Sequence, residues 1–229
     1  MSYVSLILRG SEMLPRLTLL MALVAIGLFL SFGAAPELLT YDREAIIHGE
    51  WWRLVSGHFV HSDGEHAFWD IFALLLIGAL LEQRGLTKFM TATVTGLFAV
   101  NIWLIWGIPE LTYYCGLSGI LNTLLAVFLI ELWFDLKKPK RQGNNSSNSK
   151  KMDFTALAIL ITGVSILGKI LVEINLGQAL FTDTAWPGVP SVHLAGVVGG
   201  VLYTTLRDIE LIKKTRTDKL NFSELRMLE

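Results

Sequence analysis

Ser118 stands in the run Gly116-Leu117-Ser118-Gly119, with Cys115 just before it and Asn122 one helical turn on. A serine hydroxyl becomes a useful nucleophile only when a base takes its proton, and histidine, titrating near neutrality, is the usual base. Two histidines are candidates for the same chemistry. His193 follows the turn-rich run Pro187-Gly188-Val189-Pro190-Ser191, and His66 precedes Asp70 by one turn. The chemistry would be attack on a carbonyl, with His193 as base and His66 as a donor to the oxyanion. Gly116 and Gly119 leave room for a substrate backbone, and a helix starting at Ser118 offers free N–H groups to developing negative charge. Cys115 is the lesser nucleophile, because an apolar setting without a nearby cation raises its pKa. A plainer reading of Gly-x-Ser-Gly is close packing between helices, and Gly196 and Gly200 form such a small-residue ridge on the segment that carries His193. A rival chemistry is a metal site built from His58, His61 and His66, with His48 upstream and Asp63 or Glu65 nearby. No His-Glu-x-x-His pattern is present and the spacing matches no common geometry, so neither a metal nor a cofactor is assigned.

These residues must be positioned by helices in a bilayer. Of the 229 residues, 52% are apolar and 17% charged, whereas a soluble domain has about 25% charged residues. A formal charge of -1 gives no general attraction for nucleic acid, and one cysteine excludes an internal disulfide. A bilayer core about 30 Å thick needs roughly 20 apolar residues of helix. Six segments are candidates: 17–35, 66–81, 87–107, 117–134, 154–172 and 192–206. The first could instead be a signal peptide cleaved near Gly33-Ala34-Ala35, but Pro36 disfavours cleavage there and retention is expected. The fold class predicted is an all-α polytopic membrane protein, with a six-helix membrane domain over 1–210. A Gln/Gly/Asn/Ser-rich linker spans 135–153, and a short polar tail spans 211–229.

Orientation follows from the basic residues. All Lys and Arg except Arg43, Arg53 and Lys169 fall in the N-terminus, the 82–88 and 135–153 loops and the tail. That distribution predicts that both termini are cytoplasmic and that the second, fourth and sixth spans run from outside to inside. His66 and Asp70, Ser118 and Asn122, and His193 then all lie in the outer leaflet, where they can converge. Two of those spans read as short, which would recess their outer ends in a watery pocket that a hydrolase needs. Lys169 can snorkel or pair with Glu173 four residues on.

Several runs resemble the motifs of rhomboid intramembrane serine proteases. Trp52-Arg53 resembles the Trp-Arg of that family's first outer loop, and His61 through Asp70 resembles the start of its second helix. Gly78 to Glu82 with Arg84-Gly85 resembles that helix's inner end. Gly116-Leu117-Ser118-Gly119 resembles the nucleophile motif, and His193-Leu194-Ala195-Gly196-Val197-Val198-Gly199-Gly200 resembles His-x-x-Gly-x-x-x-Gly. The resemblance implies a dyad of Ser118 and His193 without an acidic third member. It implies an oxyanion hole from His66, Asp70 and the backbone near Cys115 and Ser118. Asp70 departs from the family's asparagine. Burial would favour its protonated, hydrogen-bond-donating form, or it orients His66 or His193 instead. On the plainer reading Trp51, Trp52 and Arg53 are interface anchors.

Asp70 and the Tyr-Cys-Gly-Leu-Ser-Gly-x-Leu-Asn run look most like the rhombosortase branch. That likeness implies a bacterial inner-membrane enzyme whose site faces the periplasmic leaflet. Its substrates would be secreted or surface proteins with a C-terminal membrane-spanning tail, cut near a Gly-Gly pair. The alternatives are a general rhomboid protease with other single-span substrates, or a non-catalytic module that binds membrane helices. An accessory membrane subunit is left open as a partner beside the lipid bilayer.

Overall fold

The computed structural model describes residues 14–137, 154–177, 180 and 184–226. Most of the expected 135–153 linker lies outside these residues. The described chain is mostly helical. Four helices are long and apolar enough to cross a membrane: α4 (Gly64–Gln83), α5 (Leu86–Gly107), α6 (Ser118–Lys137) and α7 (Phe154–Leu176). A shorter apolar helix, α1 (Arg16–Phe32), precedes them. The last helix, α8 (Pro190–Arg226), continues unbroken into the polar tail. Two short helices, α2 (Arg43–Ile47) and α3 (Arg53–Ser56), occupy the loop between α1 and α4.

Local chemistry sets the helix ends. The Asp63 side chain accepts from the His66 backbone N–H and caps α4, as a short acidic side chain at an N-cap does. The helix therefore begins earlier and ends later than 66–81, and at 20 residues it is not short. Any recess at its His66 end must come from packing instead. At the opposite end of α4, Glu82 accepts from the Leu17 and Thr18 N–H groups and from the Thr18 hydroxyl, satisfying the first turn of α1. Both α4 and α5 contain a π-helical turn, Leu74–Gly78 and Trp103–Gly107 respectively. The Arg43 guanidinium closes the end of α5, donating to the Leu104 and Ile105 carbonyls in its π-helical turn and to those of Ile108 and Leu111 just beyond it.

The core runs along α6, which packs against α4, α5 and α8. Its contact with α8 is close because glycine faces glycine. A Cβ built on Gly196 would lie 2.0 Å from the Gly119 carbonyl oxygen, and one on Gly200 would lie 2.8 Å from the Thr123 carbonyl oxygen. The Thr123 hydroxyl donates to the Gly196 carbonyl at 2.8 Å, closing the same seam. On α7, by contrast, Ile159, Ile170 and Glu173 are the buried residues. Outside the helices, β1 (Tyr41–Asp42) pairs antiparallel with β2 (Tyr113–Tyr114), with Tyr41 opposite Tyr114. This short ladder ties the loop between α1 and α4 to the segment leading into Ser118.

Candidate active site

α6 starts at Ser118, so the hydroxyl shares one helix end with first-turn N–H groups that have no partner within the helix. α8 starts at Pro190, whose fixed φ suits a first helical turn, and His193 follows one turn in. The glycine seam brings these two helix starts together: His193 Nε2 lies 3.0 Å from Ser118 Oγ. Both side chains are partly exposed to a cavity of about 470 Å³, also lined by His66, Asp70, Cys115 and Asn122. A larger groove of about 900 Å³ lies between α5 and α8. Neither Ser118 nor His193 lines it, so the smaller cavity is the one with chemistry.

The turn before Ser118 is braced from three sides. Gly116 has φ +120°, where a side chain is strained, and a Cβ there would lie 2.6 Å from His66 Nε2. Its N–H donates to the Gly57 carbonyl, and its carbonyl accepts from the Tyr114 hydroxyl. The next N–H, that of Leu117, donates to Asp70 Oδ2 at 2.7 Å. His61 Nε2 and His66 Nε2 each lie 3.4 Å from the same oxygen. On Oδ2, Asp70 is thus an acceptor beneath the turn before Ser118. That oxygen faces His66, while the ion pair of His193 is with Glu173. His66 is held on its other side, with Nδ1 3.1 Å from Ser62 Oγ.

The remaining candidates separate into neighbours of the site and its scaffolding. Asn122 lines the cavity, but its amide donates to the Ser118 carbonyl four residues back. Gly119, Gly196 and Gly200 serve helix approach. A Cβ on Gly119 would meet Val100 and Val192 at 2.6 and 2.7 Å. Cys115 is buried, and burial, aided by the charges of Asp70 and Asp63, pushes its thiol up to about 12. Trp52 and Arg53 stand away from the cavity. Arg53 is buried, with its guanidinium on Glu50 and on the Glu37 and Thr40 carbonyls, so it organises the loop between α1 and α4 and is not an interface anchor. Trp51 and Trp52 remain exposed, as anchors would be.

Of the histidines weighed as metal ligands, His61 and His66 meet edge to face beside Asp70, whereas His58 and His48 lie elsewhere. His58 is fully buried beside the Tyr114 ring, and burial pushes its pKa down to about 4 against the opposing effects of Asn101 and the Gly116 backbone. His48 is exposed and lies against Glu44. Among the described residues no three His, Cys, Asp or Glu side chains are grouped to hold a metal ion. Asp63 serves the fold instead. Beyond capping α4, its Oδ2 accepts from the Ala185 N–H and so ties the segment before α8 to the start of α4. Burial opposes its ionisation, but the bonds from His66 N–H, Ala185 N–H and Ser62 outweigh that and hold its pKa below the usual value.

Sequence reasoning pairs Glu173 only with Lys169, yet its carboxylate also lies behind His193. The available signal was an acidic residue in the last turn of a strongly apolar helix.

The Rhomboid domain model matches residues 48–207, well over half of the chain. A Bacillus subtilis (strain 168) protein named "Putative rhomboid protease YdcA" is 25% identical over 199 residues, covering 84% of this chain and 88% of that protein.

Proposed function

The chain belongs to the rhomboid family, whose members are generally intramembrane serine proteases, and on that premise we propose that Ser118 and His193 are its nucleophile and general base. The observation that carries the reading is the 3.0 Å approach of His193 Nε2 to Ser118 Oγ in an open cavity. His193 takes the hydroxyl proton as Oγ attacks the scissile carbonyl. The oxyanion forms against the N–H groups at the start of α6, with His66 across the cavity. On collapse the same proton passes to the leaving amine, and water then hydrolyses the acyl-serine by the reverse roles. Asp70 braces the turn through the Leu117 N–H and does not donate to the oxyanion.

The membrane arrangement in this reading has six spans, adding α1 and the first part of α8 to the four long helices. At 17 residues and 1.5 Å per residue, α1 reaches about 25 Å, enough to cross with slight local thinning. Both termini are cytoplasmic and the cavity opens to the outer leaflet of a bacterial cytoplasmic membrane. The rhombosortase-like features favour a substrate with a C-terminal membrane-spanning tail, cut near Gly-Gly. Glycine unwinds easily and presents its carbonyl.

In proteoliposomes, Ser118→Ala and His193→Ala should each abolish cleavage of a tail-bearing substrate, and Ser118→Ala should abolish fluorophosphonate labelling, with membrane insertion intact. Cleavage by Ser118→Ala at the normal rate would refute the assignment. A wild-type protein that binds membrane helices but neither cleaves nor labels would instead be a binding module.

A further inference from the structure

A neutral histidine can accept a serine proton at Nε2 only if its own proton sits on Nδ1. That Nδ1–H then needs an acceptor wherever water cannot reach it, because an unmade bond on a buried donor is costly. His193 Nδ1 is buried and has no hydrogen-bond partner. The atom facing it is Glu173 Oε2, 3.7 Å away, also buried and also without a hydrogen bond.

The placement of Glu173 is itself unusual. It lies in the last turn of α7, where the carbonyl end of the helix repels negative charge. Its side chain is 0% exposed on a helix whose other faces turn mostly to lipid. A carboxylate there is expensive unless it is held. One oxygen is held: Oε1 accepts from Lys169 Nζ at 2.5 Å and from the Leu180 N–H at 2.7 Å. Gly177, at φ +67°, turns the chain so that Leu180 can reach back. These two bonds fix the carboxylate plane and leave Oε2 directed at the imidazole. Closing the remaining gap to a hydrogen bond takes less than an ångström, and such bonds are commonly long before substrate binds.

We infer that Glu173 is the third member of the catalytic array, a positioning residue that holds the Nδ1–H tautomer of His193 and stabilises its imidazolium during Ser118 attack. The inference rests on the protease reading and replaces the bare dyad that family resemblance implies with a Ser118–His193–Glu173 relay of orientation. No proton passes to Glu173. The carboxylate accepts a hydrogen bond throughout, while the serine proton moves to Nε2 and on to the leaving group.

Glu173→Gln separates this role from a structural one. The amide oxygen can still accept from Leu180 and Lys169, but its NH₂ would face Nδ1, favour the opposite tautomer and leave Nε2 protonated and unable to serve as base. With a fluorophosphonate probe on protein in lipid, kinact should fall by about 10²-fold or more while KI stays within about threefold. A variant with kinact within about threefold of wild type overturns the inference. Wild-type ¹⁵N-histidine spectra, assigned by comparison with His193→Ala, provide a second reading that needs no folded Glu173 variant. An exchange-protected, deshielded Nδ1–H on His193 supports the role, and an Nε2–H tautomer overturns it. If wild-type Ser118 itself takes no label, the protease reading fails first, and the role of Glu173 falls with it.

Discussion

Replacing Gly196 with alanine tests whether the glycine seam sets the distance on which the chemistry depends. The added Cβ would lie 2.0 Å from the Gly119 carbonyl oxygen, whereas real Cβ contacts essentially never fall under 3.0 Å. Both groups are backbone-fixed on packed helices, so α6 and α8 must part by about 1 Å or more, an overpacking that costs roughly 1–3 kcal/mol. Ser118 neighbours Gly119 and His193 lies one turn before Gly196. The same displacement therefore stretches the 3.0 Å Oγ to Nε2 approach to about 4 Å, beyond hydrogen-bond reach. A misplacement of that size costs about 10²-fold in rate. The assay is the rate of Ser118 labelling in lipid, with thermal unfolding measured on the same preparation. Gly168→Ala on α7 is the control, since nothing lies within 4 Å of its new Cβ, and it should change neither quantity. A Gly196→Ala protein that labels at the wild-type rate with unchanged melting would refute the claim that this contact controls the site.

Other perturbations separate the supporting groups. Asp70→Ala leaves the buried Leu117 N–H without its acceptor, so thermal unfolding should show a loss of about 1–3 kcal/mol. Asp70→Asn keeps one acceptor oxygen and should lose less, and equal losses would argue against the bracing role. His58 is held neutral, with a pKa of about 4 folded against 6.5 unfolded. Its unfolded form binds the extra proton, so stability should fall as pH drops through 6.5 and level off near 4. The shift corresponds to roughly 3 kcal/mol at most. A His58→Gln protein should show a flatter melting-temperature profile across that window, and an unchanged slope would assign the effect elsewhere. The Cys115 thiol, pushed up to about 12, is protonated at pH 8 and should resist maleimide until the protein unfolds. Rapid labelling of folded protein would contradict its burial.

Much of this protein is dictated by local properties of the chain. The apolar runs that become α4 to α7 are visible because a bilayer demands length and hydropathy within one continuous segment. The start of α4 is written in Asp63, and the starts of α6 and α8 in Gly116-Leu117-Ser118-Gly119 and Pro190. Once Ser118 and His193 fall at the same end of their helices, their meeting is a matter of topology. What chain order could not decide is how each helix is turned about its axis and how close neighbouring axes come. The π-helical turns in α4 and α5 change helix phase partway along, and no local signal in the sequence announces them. The burial of Arg53, the capping of α5 by Arg43 and the seat of Asp70 beneath Leu117 all depend on backbone groups distant in sequence. Glu173 is the sharpest case. Four residues from Lys169 it reads as a simple helical ion pair, and only the packing of α7 beside α8 turns its second oxygen toward His193.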